Sequence, residues 1–212
     1  MFNKMGHMST RRVRLSPDTR REQLLDLGVQ LLGTRRLDDL SIDVLAEEAG
    51  ISRGLLYHYF RNKQEFHRAV VRRVADEVVA VTAPDEDLEP IVRLTMSLRA
   101  YVDYVQANYQ PYVSLVRGAV SGDEFLRDIY AETRVALTHR IFESLSEYGL
   151  SDGPAVRLLA NGWAAMVEET VLVWVPDQQI PQDELLRLLA AALPGILEAT
   201  VTDKDRQGMI GE

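Results

Sequence analysis

Two helices too short to stand alone constrain this chain more than any other feature. Ser41 and Ser52 each precede a stretch of about two helical turns, and Gly50 falls between them in "EEAGISRG". Serine is a strong helix N-cap, because its hydroxyl accepts a hydrogen bond from an otherwise orphaned backbone N–H. Glycine accepts the left-handed backbone that ends a helix. Isolated helices of this length are unstable in water. The pair must therefore pack against further helices, and the sequence supplies them on both sides.

Upstream, "SPDT" reads as a helix start, with Ser16 as N-cap and Pro17 at the first helical position. Its apolar stripe is Leu24, Leu25, Gly28, Leu31 and Leu32, and the loop "TRRLDDL" follows. Leu45, Ile51 and Leu56 are placed to hold the short pair against this helix, while the small Ala46 lets the two cross closely. Downstream, Asn62 opens a longer helix to about Ala80, with Glu65 at the capping-box position. "TAPDEDLEP" then reads as a loop and a boundary. Beyond it, helical periodicity predicts five helices near 88–107, 111–117, 123–148, 154–175 and 182–200. No alternating run with an Asn-Gly or Asp-Gly turn argues for strands. The expected class is all-α, with a unit at 16–62, a linking helix at about 62–80 and a second unit at 81–202.

Charge separates the two units. The net charge is -8, yet residues 9–77 hold 13 Lys and Arg against 11 Asp and Glu, and residues 78–212 hold 10 against 21. The acidic surplus therefore belongs to the second unit. "MFNKMGHM" has no apolar stretch of a signal peptide, and "GHM" reads as a cloning remnant. No apolar run reaches about 18 residues, so no membrane span is expected. The chain has no cysteine, which removes disulfides and thiolate metal sites and fits a reducing, cytoplasmic setting. Neither H-E-x-x-H, G-x-S-x-G, G-x-x-x-x-G-K nor paired Glu-x-x-His occurs. No metal, no cofactor and no catalytic residue is expected. A helical enzyme built on a carboxylate cluster and a helical protein-binding adaptor remain the alternatives.

Ser41, Ala46, Ala49, Gly50, Ser52, Gly54, Leu56, Tyr57, Tyr59, Phe60, Asn62, Lys63, Glu65 and Phe66 form a pattern in which many residue types and spacings agree at once. Residues Thr19 to Val70 resemble the N-terminal DNA-binding domain of TetR-family transcriptional repressors. That resemblance implies a helix-turn-helix, double-stranded DNA with a palindromic operator, a homodimer, and a C-terminal domain that binds a small effector. It places Arg53, Gly54 and Leu55 at the exposed start of the recognition helix. Arg53 is the expected base reader, since a guanidinium pairs bidentately with guanine. The resemblance puts Tyr57 and Tyr59 at phosphates or thymine methyls, His58 beside them, and Ser41, Ser52 and Lys63 around the DNA-facing helix starts. Phe60 and Phe66 are expected in the core. Arg11, Arg12 and Arg14 form a basic arm that suits phosphate or the minor groove. Two positions depart from the pattern. Arg36 stands where the family usually has glycine, which predicts a strained or altered loop. Asp43 lies in the first turn of the second helix, where a carboxylate suits the helix dipole but repels phosphate.

In the acidic unit, Ala160, Gly162, Ala164 and Ala165 allow close helix approach, and "LLRLLAAALPGIL" is apolar almost all round. These last two helices are the dimer candidates. Met96, Tyr101, Tyr104, Tyr112, Phe125, Trp163, Met166 and Trp174 are the candidate ligand contacts, with His139 as a polar handle beside Glu168 and Glu169. They suit a moderately apolar effector.

Overall fold

The computed structural model describes residues 16–120, 122–147 and 153–198. Among these it contains α-helices and one short 3-10 turn, and no strand. The helices are α1 (Pro17–Leu32), α2 (Ile42–Ala49), α3 (Arg53–Tyr59), α4 (Lys63–Val81), α5 (Pro90–Ala107), α6 (Tyr109–Gly118), α7 (Glu124–Glu147), α8 (Pro154–Asp177) and α9 (Gln182–Glu198). The 3-10 turn, Leu37–Asp39, precedes α2. The basic arm at Arg11, Arg12 and Arg14 lies outside the described residues.

The starts of α1 to α4 are made by side chains. Ser16, Ser41 and Ser52 each accept a hydrogen bond from the backbone N–H three residues on, at 3.1, 3.1 and 3.3 Å. Asn62 accepts from the Glu65 N–H at 2.8 Å, and the Glu65 carboxylate accepts from the Arg61 N–H at 2.9 Å. The capping box thus reaches one residue further back than its usual form. Gly50 is left-handed, with φ 64° and ψ 35°. Arg36 adopts ordinary extended backbone, with φ -72° and ψ 153°. The strain expected there is absent, because α1 already ends at Leu32 and the 3-10 turn takes up the loop.

Two buried cores meet along α4. Leu24, Leu32, Leu40, Leu45, Leu56, Phe60, Phe66 and Val70 belong to the first. From Val71 onward α4 serves the second, which runs through α5 to α9. Gly28 lets α1 cross α4 at this seam: a Cβ there would lie 2.6 Å from Val70 Cγ2 and 3.1 Å from the Phe66 ring. Cross-links span the seam. Arg68 on α4 makes a bidentate pair with Asp123, the residue before α7, at 3.1–3.2 Å, and Arg72 pairs with Glu132 at 2.6 Å. The linking helix is therefore shared by both units rather than a spacer between them.

By length and composition α8 could cross a membrane. One face of it, Val156, Ala160, Trp163, Val167, Val171 and Trp174, packs into the chain's own core, while 28% of the apolar window as a whole is buried.

Candidate nucleic-acid interface and ligand cavity

Only Leu56 of α3 is buried. That single plug seats the helix in the first core, where the Phe60 and Phe66 rings lie 5.2 Å apart and are fully buried. The other side of α3 is open. Arg53, Gly54, Leu55, Tyr57 and His58 are exposed, Tyr57 at 54%. Tyr59 is turned partly inward onto the core. A Cβ added at Gly54 would meet nothing within 4 Å, so the fold itself does not require glycine there. The major groove is about 12 Å wide and admits one helix presented in this way.

Ser41 and Ser52 spend their hydroxyls on capping α2 and α3, so their first role is to set the helix starts. Lys63, in the first turn of α4, donates from Nζ to the Asp38 carbonyl of the 3-10 turn. The ammonium is thereby held against the 3-10 turn ahead of α2. His67 sits one turn further, and its Nε2–H donates to the Leu40 carbonyl at 2.6 Å. Burial holds its pKa below the usual value; the Leu40 carbonyl and Asp38 oppose this, and Lys63 adds to it.

In the second unit a cavity of about 100 Å³ lies between the end of α4 and α5, α7 and α8. Leu94, Leu98, Leu137, Ile141, Trp163 and Ala164 make its apolar wall. Its polar groups are Arg93, Ser97, Tyr101 and Arg140, with Thr82 from the end of α4. Arg140 donates to Thr82 Oγ1 at 2.9 Å and to the Val79 carbonyl at 2.8 Å, tying α7 to the last turn of α4.

Of the expected ligand contacts, Tyr101 and Trp163 line this cavity. Tyr112 lies behind it, accepting from Tyr101 at 3.1 Å and donating to Glu168 at 3.2 Å. Tyr130 also donates to Glu168, at 2.6 Å, and Arg134 donates to both. Burial pushes all three phenols up, Tyr130 to about 12 with the Glu168 carboxylate adding to the effect. Tyr104 faces α4 instead, donating to the Val74 carbonyl. Trp174 donates to the Ile180 carbonyl and closes the α8–α9 turn. Met96, Phe125 and Met166 are exposed. Phe125 lies under the Arg68 and Arg72 guanidiniums, and His139 is on the outside of α7. Arg93 and Arg140 also line the cavity and were not among the expected contacts. Arg93 shares one face of α5 with Ser97 and Tyr101, and Arg140 stands between the apolar Leu137 and Ile141 on α7.

The matches to known proteins cover both units. Residues 24–70 match the family described as bacterial regulatory proteins, tetR family, and residues 90–193 match the tetracyclin repressor-like C-terminal domain. The HTH-type transcriptional regulator Rv0472c of Mycobacterium tuberculosis is 27% identical, over 85% of this chain and 80% of its own length. The HTH-type transcriptional activator FasR of Mycolicibacterium smegmatis is 26% identical, over 80% and 79%. A tetR-family transcriptional regulator from Streptomyces coelicolor superposes with a TM-score of 0.78 at 27% identity, covering 87% of this chain and 83% of that one. Recognition unit and helical C-terminal part together place the chain in the TetR family: it is a DNA-binding transcriptional regulator with a helix-turn-helix, and not an enzyme.

Proposed function

We propose that this regulator is a ligand-responsive repressor that binds a palindromic operator as a homodimer in the cytoplasm. The observation that carries the reading is the side-chain division of α3, with Leu56 buried and Arg53, Tyr57 and His58 exposed. Arg53 and Leu55 meet base edges, Gly54 lets the duplex approach, and Tyr57, Tyr59, Ser41, Ser52 and Lys63 contact the backbone around them.

The dimer forms through α8 and α9. Leu158, Gly162, Ala165, Met166 and Val173 make an exposed stripe on α8, and Leu188, Ala191 and Gly195 continue it on α9. Added Cβ atoms at Gly162 and Gly195 would meet nothing within the chain. Outward-facing apolar and small residues of this kind suit a self-complementary four-helix contact.

The effector occupies the cavity between α5, α7 and α8. A typical small-molecule pocket holds about 300–1,000 Å³. A cavity of about 100 Å³ must therefore widen to admit a metabolite. An apolar body against Leu98 and Trp163, with an acceptor group drawing Arg140 from Thr82, would free the end of α4. The helix carries the recognition unit at its other end. A tilt changes the separation of the two recognition helices, so both half-sites are no longer met together. The ligand achieves this only by binding the two states unequally. FasR is named an activator, which favours activation as the second reading; the same DNA contacts serve either sign.

Mobility shift on the region upstream of the chain's own gene, with a salt titration, tests the DNA reading. Sequence-specific binding that weakens steeply with salt is expected. Arg53→Ala should relax base preference at one position per half-site, by about 1–3 kcal/mol. Lys63→Ala should weaken all sequences alike. Unchanged affinity and preference in Arg53→Ala would refute the assignment. Thermal shift against a metabolite panel then finds the effector.

A further inference from the structure

The structure assigns a role to Asp43, the acidic residue that departs from the family pattern. Its carboxylate Oδ1 lies 2.6 Å from the Arg53 guanidinium, and the closest nitrogen is Nε. The pair bridges the first turn of α2 and the first residue of α3 across the helix-turn-helix. Both side chains are largely exposed, Arg53 at 68% and Asp43 at 55%.

Two ordinary explanations leave this contact unaccounted for. An exposed ion pair adds little to stability. The fold of this corner is already held by the Ser41 and Ser52 caps, the Gly50 turn, and the buried Ile42, Leu45 and Leu56. Attraction to DNA fails as well, because a carboxylate on this face repels phosphate. What the carboxylate does provide is restraint. An arginine side chain has several free torsions, and reading guanine requires its planar fork to present two donors at once. A carboxylate held against Nε by charge restricts those torsions, and neither Nη is the nitrogen it approaches most closely. We propose that Asp43 is a positioning residue for base readout. It holds Arg53 so that the two terminal nitrogens face the O6 and N7 edge of one guanine in each half-site.

This rests on the reading of α3 as the recognition helix, and the two can fail separately. An operator is first selected from random duplexes by the full-length protein. Anisotropy titrations then compare wild type, Asp43→Ala, Asp43→Asn, Arg53→Ala and the double variant Asp43→Ala with Arg53→Ala. The probes are that operator, its single-base variants and a non-specific duplex. Both Asp43 variants should bind non-specific duplex more tightly, since a repulsive charge is gone. Their preference at one base position should fall by roughly tenfold, within the range set by one bidentate contact. The double variant should lose no more preference than Arg53→Ala alone. Readouts moving in opposite directions set this apart from a structural role. A carboxylate that only favours the α2 dipole predicts a lower melting temperature and equal loss on all DNA. A carboxylate that only repels phosphate predicts equal gain on all DNA with preference intact. Either result overturns the proposal. If Arg53→Ala itself leaves preference unchanged, the recognition reading falls and the positioning role falls with it.

Discussion

The two cores of this protein are built on opposite principles. The first, around Phe60 and Phe66, is packed from apolar side chains, with its polar contacts at the helix caps and at the half-buried His67. The second buries polarity: Tyr101, Tyr112, Tyr130, Arg134 and Glu168 form one connected network, and Arg93 and Arg140 line the cavity beside it. A unit that must present one face reproducibly to DNA benefits from a rigid apolar plug. If the second unit responds to a ligand as proposed, polar groups able to change partners are needed there, and this network is where such groups lie. The difference predicts that substitutions in the first core damage DNA binding through folding, while those in the second alter response and leave the duplex contacts standing.

The largest expected effect is at the seam. Phe66→Ala should cost about 3–5 kcal/mol, because the ring is fully buried and touches both Phe60 and the Gly28 crossing. Gly28→Ala should follow at about 1–3 kcal/mol, since its Cβ forces Val70 to move. Chemical denaturation measures both. Wild-type stability in Gly28→Ala would mean that α1 and α4 are loosely packed, and the picture of a rigid first core would fail.

Glu168→Gln probes the other principle. It weakens the charge-assisted bonds from Tyr130 and Arg134, at about 1.5–3 kcal/mol. Because the carboxylate adds to burial in raising the Tyr130 phenol to about 12, the substitution should also bring that group down, read by ultraviolet titration. Operator affinity at low temperature should stay unchanged while effector response shifts. Equal loss of DNA binding and stability would erase the distinction between the cores.

The same contrast explains what was legible in the sequence. Recognition by motif works where structure is local. The caps, Gly50 and the inward Phe60 and Phe66 all fall within one short stretch, and each has one dominant physical reason. The α-helical class and most helix ends followed from the same signals, although α6 begins at Tyr109 because its first turn bonds back to the Asn108 carbonyl. The cavity is assembled from four helices distant in sequence, so composition alone had to stand in for geometry. Of the aromatic candidates, Tyr101 and Trp163 line the cavity. Hydrophobicity also drew in Met96 and Met166, which are exposed, and charge hid Arg93 and Arg140 among surface residues. The Asp43–Arg53 pair was legible as two residues but not as one contact, since nothing in the spacing says that α2 and α3 bring them together.

The smallest effect concerns pH, and it should fall on the first unit alone. His67 joins α4 to the Leu40 carbonyl just ahead of α2, with Lys63 and Asp38 nearby. Burial lowers its pKa in the folded protein, so the native state favours the neutral ring. The unfolded chain takes up its proton first, near pH 6.5. Stability from this group is therefore full above about pH 6.5 and is lost as pH falls through the lower folded pKa. His67→Gln keeps a donor for Leu40 and removes the titration. Denaturation midpoints of wild type and variant should run parallel above pH 7 and converge or cross as the pH falls below 6. Operator affinity should show the same divergence, because the shifted contact sets where α2 begins, whereas effector affinity should not. Identical profiles for the two proteins would show that this histidine is solvated in solution, and that the first unit is less tightly closed at the Leu40 corner than its apolar core implies.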